Sequence, residues 1–475
     1  MIWSISWKNV WRNKTRSLVV IIAFTLGLFG GIFMVAVMVG MMDTRLKLAI
    51  GNEASHIQIH NPGYLENNEL KYTIDNYQET QRKIESIPEV QAVSPRIKIM
   101  GMASTSGNAS GVMVNGIDPD LEREVTGIAG SIVEGGGDFF EGDGRKPVVI
   151  GAKLAKNLKL TYYTITEENL EKLEERKKIR PLIPQLEGLK DKRFRTEADF
   201  DAALEEILGP DAGKYNMRIK DHAIKYNLRK KIVLSFQALD GNIAYDAFRV
   251  AGVYKTGNSA FDGFNLYVRD QDIRDVAELA PGQVNEMAII LTSIDHDDLA
   301  KAGIEEIVPG MTVEKWDEVM PEAGMYTSAM NYYLMIFMVI ILLALGFGIV
   351  NTMLMAVLER IKELGMLKAV GMSGKRIFRM IMLETVFLGL VGSIIGMVIS
   401  YLLILWSGSR GLDLSALYGE GLEALGFSAI LYPTIEFGAF IQLTLMVIIT
   451  GVLASIYPAR KALKLNPSEA LRIDM

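Results

Sequence analysis

Leu18-Val19-Val20-Ile21-Ile22-Ala23-Phe24-Thr25-Leu26-Gly27-Leu28-Phe29-Gly30-Gly31-Ile32-Phe33-Met34-Val35-Ala36-Val37-Met38-Val39-Gly40-Met41-Met42 is a run of 25 residues without a charge. Its reading decides the class of the chain. A helix needs about 20 apolar residues to cross ~30 Å of hydrocarbon. Lys8, Arg12, Lys14 and Arg16 precede the run as the n-region of a signal peptide would. An h-region, however, is only about 7–15 residues long, and no small-x-small cleavage site precedes Asp43. The run therefore reads as a retained membrane helix. The composition agrees: 49% hydrophobic and 22% charged residues fit neither a disordered chain nor an all-apolar channel.

Three further spans follow. Ala323 to Leu358 is uncharged for 36 residues, more than a bilayer needs, so its first third, with Met325, Tyr326, Tyr332 and Tyr333, is expected to project as a helical stalk. The others are Ile377 to Trp406 and Phe437 to Ala459. Lys and Arg collect in residues 1–17 (four bases, no acid), in 358–380 (net +4) and after Tyr457 (net +2), which places these segments on the cytoplasmic side. The loop 407–436 is net −3, and residues 43–330 carry about −12 of the overall −6 balance, so both lie outside. With 50 Lys+Arg against 56 Asp+Glu there is no bulk basic surface for nucleic acid. The absence of cysteine excludes disulfides, a thiolate zinc site and a cysteine nucleophile.

The expected fold is an α-helical membrane protein with four transmembrane helices and a large α+β extracytoplasmic domain inserted between the first two. Its parts are a cytoplasmic amphipathic helix (1–17), first span (18–42), outer domain (43–325), stalk and second span (326–357), coupling segment (358–376), third span (377–406), outer loop (407–436), fourth span (437–459) and tail (460–475). Within the outer domain, His56-Ile57-Gln58-Ile59-His60 alternates as a strand and stops at Asn61-Pro62-Gly63, and a helix follows from Asp75 to Ser86. A helix over Asp270 to Leu279, the strand Met287 to Leu291, a helix over Asp297 to Ala302 and a strand at Met311 to Val313 repeat this alternation. The spacing predicts two α/β halves, about 55–118 and 265–320, flanking a β-rich subdomain over 119–264. Gly111 to Gly116, Lys146 to Gly151 and Ile232 to Phe236 read as strands. Residues 162–230 read as a charged helical insertion, with helices over Glu167 to Lys178 and Ala198 to Leu208.

The segment Leu354 to Ile377 carries the most information. Spacings of three and four put Ile361, Leu364 and Lys368 on one face, Glu359, Lys362 and Glu363 can pair locally, and Gly365 and Gly371 punctuate two short helices. Such a piece either anchors helices at the interface or offers a rigid contact to a motor domain. Glu384 is the lone acid of the third span, a pairing or transport candidate within a turn and a half of Arg379. Gly27 and Gly31, and Gly392 and Gly396, line up as small-residue faces for helix packing, inside one subunit or between two. His56 and His60 lack a nearby third ligand, and Asp295-His296-Asp297-Asp298 reads as a helix start. Gly374-Lys375 is followed by Arg376 and lacks the upstream glycine of a phosphate-binding loop, so any ATPase is expected on another polypeptide.

Three stretches together resemble a known family. Ser6-Trp7-Lys8-Asn9-Val10-Trp11-Arg12-Asn13-Lys14-Thr15-Arg16-Ser17, the segment 354–377, and Ile456-Tyr457-Pro458-Ala459-Arg460-Lys461-Ala462 with Asn466-Pro467-Ser468-Glu469-Ala470-Leu471-Arg472 are similar to the N-terminal helix, coupling segment and C-terminal signature of ABC-transporter permeases of the FtsX-like, MacB-type superfamily. The order of one helix, ectodomain and three helices matches as well. The resemblance implies a non-catalytic subunit of the inner membrane, with both termini cytoplasmic and a porter-like periplasmic domain. It implies work as a homo- or heterodimer beside an ATPase dimer that holds ATP and Mg2+. Coupling falls to Glu359, Arg360, Glu363, Leu364, Gly365, Lys368 and Gly371. It further implies mechanotransmission: motion of the ATPases passes along the first two helices to the ectodomain. The stretch His56 to Tyr64 is most like the lipoprotein-releasing permeases, which makes a lipoprotein the expected cargo. Tripartite efflux permeases, whose best-known member carries a fused N-terminal ATPase, and division-linked regulators with smaller ectodomains are the alternatives. The insertion 162–230 departs from the family pattern.

Overall fold

The computed structural model describes residues 2–12, 14–141, 146–174, 179–414 and 421–464. The chain divides into a helical unit, Met1–Asp43 with Thr327–Leu412 and Leu431–Met475, and a sheet unit, Thr44–Tyr326 with Asp413–Ile430.

The helical unit follows the uncharged runs. Four helices are long and apolar enough to cross a membrane, with spans at Ser17–Ala54, Tyr332–Glu359, Gly374–Arg410 and Phe437–Lys461. The amphipathic helix is shorter than expected, Ile2–Arg12, and Lys14 already opens the first long helix, Lys14–Leu48, which continues as a π-helical turn over Ala49–Ala54. Asp43, Arg45 and Lys47 do not stop it, because a charge beyond the hydrocarbon layer costs a helix little. The second long helix, Pro321–Glu359, has 39 residues and opens on proline, whose missing N–H needs no partner there. After a break at Arg360 comes the coupling helix, Ile361–Ala369.

Gly365 does not punctuate this helix as expected but lies inside it, since one glycine costs only about 1 kcal/mol among Leu, Met, Lys and Glu neighbours. Gly371, at φ +99°, does end it, in a conformation that a side chain would strain. The expected second short helix is instead the start of the third membrane helix, Gly374–Arg410. The fourth helix, Phe437–Lys464, carries Pro458 inside it. The signature residues 466–472 lie outside the described residues.

Phe24, buried in the first membrane helix, organises the packing. A Cβ on Gly392 would come within 2.7 Å of Phe24 Cβ and 2.8 Å of the Ile21 carbonyl oxygen. Gly389 and Gly451 also back onto the Phe24 ring. Gly396 approaches Thr25 and Leu28, Gly27 approaches Leu345 and Gly31 approaches Ile341. Both glycine faces therefore serve contacts between helices of this one chain.

In the sheet unit, a ten-stranded sheet runs in the order β12-β1-β11-β2-β3-β10-β5-β9-β4, with β8 pairing β2 and β9. The strands are β1 Ile57–His60, β2 Val90–Ser104, β3 Ala109–Ile117, β4 Ile132–Gly137, β5 Pro147–Gly151, β8 Lys231–Gln237, β9 Ile243–Tyr254, β10 Asn265–Arg269, β11 Glu286–Leu291 and β12 Thr312–Lys315. The expected strands are present but do not form two separate halves around an inserted domain. β1 lies antiparallel between β11 and β12, and β10 runs parallel to β3, so the two ends of the segment interleave. The 15-residue β2 pairs β11 at one end and β8 at the other, which joins the β-rich strands to the same sheet. Helices Tyr77–Ile84, Asp270–Ala277 and Asp297–Ile307 stand where the periodicity predicts them. The core includes Ile57, Ile59, Ile97, Val114, Leu266 and Ile289.

The insertion is a module with its own core of Leu173, Leu186, Phe200, Leu204 and Ile219. Its ends are closed by β6 Thr161–Tyr163 paired antiparallel with β7 Ile224–Tyr226. Two expected helices appear, Glu167–Glu174 and Glu197–Leu208, the second capped by Thr196, which accepts from the Asp199 N–H. Residues 175–178 lie outside the described residues, and a third helix, Ala212–Ala223, was not anticipated. Glu197 is held at about 2: burial works against its charge, but bonds from Lys156 and Lys220 outweigh it.

Candidate functional site

In the helical unit, the amphipathic helix, the break at Arg360 and the third membrane helix meet around a cleft of about 430 Å³. Arg360 sits at φ −100°, ψ 13°, between the second long helix and the coupling helix. Its Nη1 donates to Glu384 Oε2 at 2.8 Å and its Nε to Glu363 Oε2 at 3.0 Å. Asn9 Nδ2 donates to the other Glu384 oxygen at 2.8 Å, and Arg12 pairs with Glu363. Ser6 Oγ donates to the Met380 carbonyl at 3.3 Å, and Ser17 Oγ to the Val10 carbonyl.

Glu384 is therefore a pairing residue: both carboxylate oxygens are bonded, by groups from two different segments, and the side chain is buried. Leu364 is buried in the helical core, and Lys368 Nζ donates to the Leu463 carbonyl at 3.4 Å. Glu359 lines the cleft beside Glu363. Thus Glu359, Arg360, Glu363 and Leu364 gather with Glu384 at the cleft, whereas Lys368 reaches the end of the fourth helix and Gly371 shapes the turn. Asn9 and Arg12 were not singled out as coupling residues. Their only signal was the polar face of the N-terminal helix, which says nothing about a partner some 350 residues away. Chemically the site is a set of charge-assisted bonds that tie separate elements together.

A second charged cluster lies inside the sheet unit. Arg96 Nη1 bonds Glu286 Oε1 and Arg96 Nη2 bonds Glu122 Oε1, each at 2.8 Å. Lys98 Nζ at 2.8 Å and His60 Nε2 at 2.9 Å share Glu286 Oε2, and Ser94 Oγ donates to Glu122 at 2.7 Å. Burial alone would raise Glu286, but Lys98, His60 and Arg96 hold it well below the usual carboxylate range. His56 Nδ1 accepts from the Leu291 N–H instead of joining His60. Elsewhere in the unit Asp262 accepts from Thr256 N–H and Oγ1, and burial pushes it up to about 7.

Comparison with known proteins matches two stretches of the chain to two family models. Residues 17–166 match the MacB-like periplasmic core domain, and residues 335–467 match the FtsX-like permease C-terminal model. The ABC transporter permease YtrF of Bacillus subtilis is 26% identical over 58% of this chain and 68% of its own length. The lipoprotein-releasing system transmembrane protein LolC of Xylella fastidiosa is 25% identical over 48% of this chain and 55% of its own length. The macrolide export ATP-binding/permease protein MacB 1 of Yersinia pestis is 30% identical over 33% of this chain and 21% of its own length. The chain therefore spans from about a fifth to two thirds of the length of these relatives. It carries a MacB-like periplasmic core region followed by an FtsX-like permease C-terminal region, and is similar in both to ABC transporter permeases.

Proposed function

We propose that this chain is the non-catalytic membrane subunit of an ABC system that works by mechanotransmission. A separate cytoplasmic ATPase dimer binds ATP and Mg2+ and pushes on the coupling helix. The second long helix carries the motion to a periplasmic domain, and the cargo is a lipoprotein drawn from the inner membrane. Two copies, or this chain and a paralogue, stand side by side with their termini in the cytoplasm.

One observation carries this reading. Arg360 occupies the single break between a 39-residue helix and the coupling helix, and its guanidinium ties Glu363 of the coupling helix to Glu384 of the third membrane helix. One side chain thus links Ile361–Ala369 to the third membrane helix at the point where it joins the second long helix. The spans also lack the mid-membrane ionisable groups a carrier needs, since Glu384 is bonded near the charged end of its helix. The LolC-type match supports lipoprotein cargo, while the MacB-type match supports a second reading, export of a small molecule such as a macrolide.

Co-expression with the ATPase tests the coupling. Arg360→Ala should leave assembly and basal ATP hydrolysis intact and reduce cargo-stimulated hydrolysis about ten-fold, with Arg360→Lys in between. Unchanged stimulation in Arg360→Ala would sink the reading. A Gly-Gly insertion after Ser328 should abolish cargo release with hydrolysis retained. Orientation is tested by Ser86→Cys and Ser373→Cys, of which only the first should react with an impermeant thiol reagent in intact cells.

A further inference from the structure

The amphipathic helix Ile2–Arg12 has one face that the coupling reading does not use. Ser6 and Val10 are buried against the third membrane helix, and Asn9 bonds Glu384. Trp3, Trp7 and Trp11, four residues apart and so on one face, are 67%, 44% and 46% exposed. Three indoles left open is an unusual outlay of apolar surface for a face meant for water. Their depth is marked by Phe387 of the third membrane helix, whose ring lies 5.7 Å from Trp3 and 5.4 Å from Trp7, both edge-on. From Phe387 an exposed apolar strip continues up the helix through Leu390, Ile394 and Val398. On the charged side, exposed Lys8 lies on the helix strip next to the tryptophans.

Indoles at the edge of an apolar helix strip, bordered by cations, match the boundary between acyl chains and headgroups. The sign of the border selects among headgroups: residues 1–17 hold four bases and no acid. A water-facing protein partner would leave the continuous strip over Leu390 and Ile394 without an occupant, whereas a lipid fills both. We propose that the Trp3–Trp7–Trp11 face with Lys8 is a binding surface for anionic phospholipid. Its headgroup phosphate meets Lys8, and its acyl chains lie along Phe387, Leu390 and Ile394. This goes beyond the coupling reading and does not depend on the identity of the cargo or the ATPase.

The test uses the full chain, without ATPase, in bilayers containing either brominated phosphatidylglycerol or brominated phosphatidylcholine at equal mole fraction. Indole fluorescence is quenched by bromine in contact, and Trp3→Phe/Trp7→Phe/Trp11→Phe identifies the part of the signal due to this face. The expected result is a preference for the anionic lipid on the order of ten-fold. It should fall toward unity in Lys8→Gln and at high salt, while the apolar contact persists. Equal quenching by both lipids in the wild-type chain would overturn the proposal. Protection of the three indoles from both lipids would overturn it too, and would assign the face to a protein contact.

Discussion

The two charge clusters, one buried and one partly so, use the same residue types to opposite ends. In the sheet unit, His60, Arg96, Lys98 and Glu286 lie on neighbouring strands β1, β2 and β11, where backbone ladders already fix their spacing. In the helical unit, Glu384, Arg360, Glu363 and Asn9 come from four segments with no backbone pairing between them, and side-chain packing and these bonds set their relative position at the cleft. The first cluster specifies register: Glu286 stands opposite both His60 and Arg96, and a one-residue slip would bury its charge without a cation. A charge cluster is thus a lock where the backbone is paired, and under the proposed coupling it is a joint where the backbone is not.

The largest effect should come from breaking the lock. Arg96→Ala leaves Glu122 and Glu286 buried without their shared cation, which should cost about 3–5 kcal/mol. Hydrogen exchange across β1, β2 and β11 reads it directly, and preserved protection there would mean the cluster does not hold the sheet.

Next comes a buried carboxylate bonded by neutral groups. Asp262, raised to about 7 by burial, binds a proton in the folded chain at pH values where the unfolded carboxyl is ionised. Its contribution to stability is full below its ordinary value and is lost as pH rises through about 7. Between about pH 5 and pH 8 this amounts to roughly 3 kcal/mol, or ~hundred-fold in exchange protection around Thr256. Asp262→Asn, uncharged throughout, should flatten that dependence; an identical pH profile in the variant would assign it to other groups.

In the helical unit, close packing should matter more than charge. Gly392→Ala sets a methyl 2.8 Å from the Ile21 carbonyl oxygen, which backbone cannot easily yield, and should lower stability in detergent by about 1–3 kcal/mol. Gly30→Ala, with nothing within 4 Å, is the matched control and should melt with the wild type.

The smallest effect sharpens what a joint is. Arg12 is largely exposed and Glu363 partly so, and Arg12→Gln should therefore change stability by no more than about 1 kcal/mol. If cargo-stimulated hydrolysis nonetheless falls while the melting temperature holds, the pair acts in coupling and not in folding.

Much of this was legible in the residues alone. Four membrane helices follow from uncharged runs, because desolvating a charge in hydrocarbon costs more than any local preference can recover. The strand at His56 to His60, the helices Asp270–Ala277 and Asp297–Ile307 and the insertion helices follow from periodicity. The candidate site was half legible: Arg360, Glu363 and Glu384 stood out as charges beside apolar spans, and the glycine faces as small residues in a row. Partners were not legible. Periodicity reports which face of an element is buried and carries nothing about which element buries it, so the interleaving of β1 between β11 and β12 was invisible.

Gly365 shows the same limit from the other side. Local propensity marked it as a helix end, yet packing of Leu364 into the helical core carries the helix through it. What the sequence determined by itself was which segments are long and apolar enough to leave water, since that depends on transfer energies summed along a stretch. What only the tertiary structure decided was the pairing of Glu384 with Arg360 and Asn9, and of Glu286 with Arg96, Lys98 and His60. Those bonds join residues far apart in the chain, and their strength depends on geometry and local dielectric that exist only once the chain has folded.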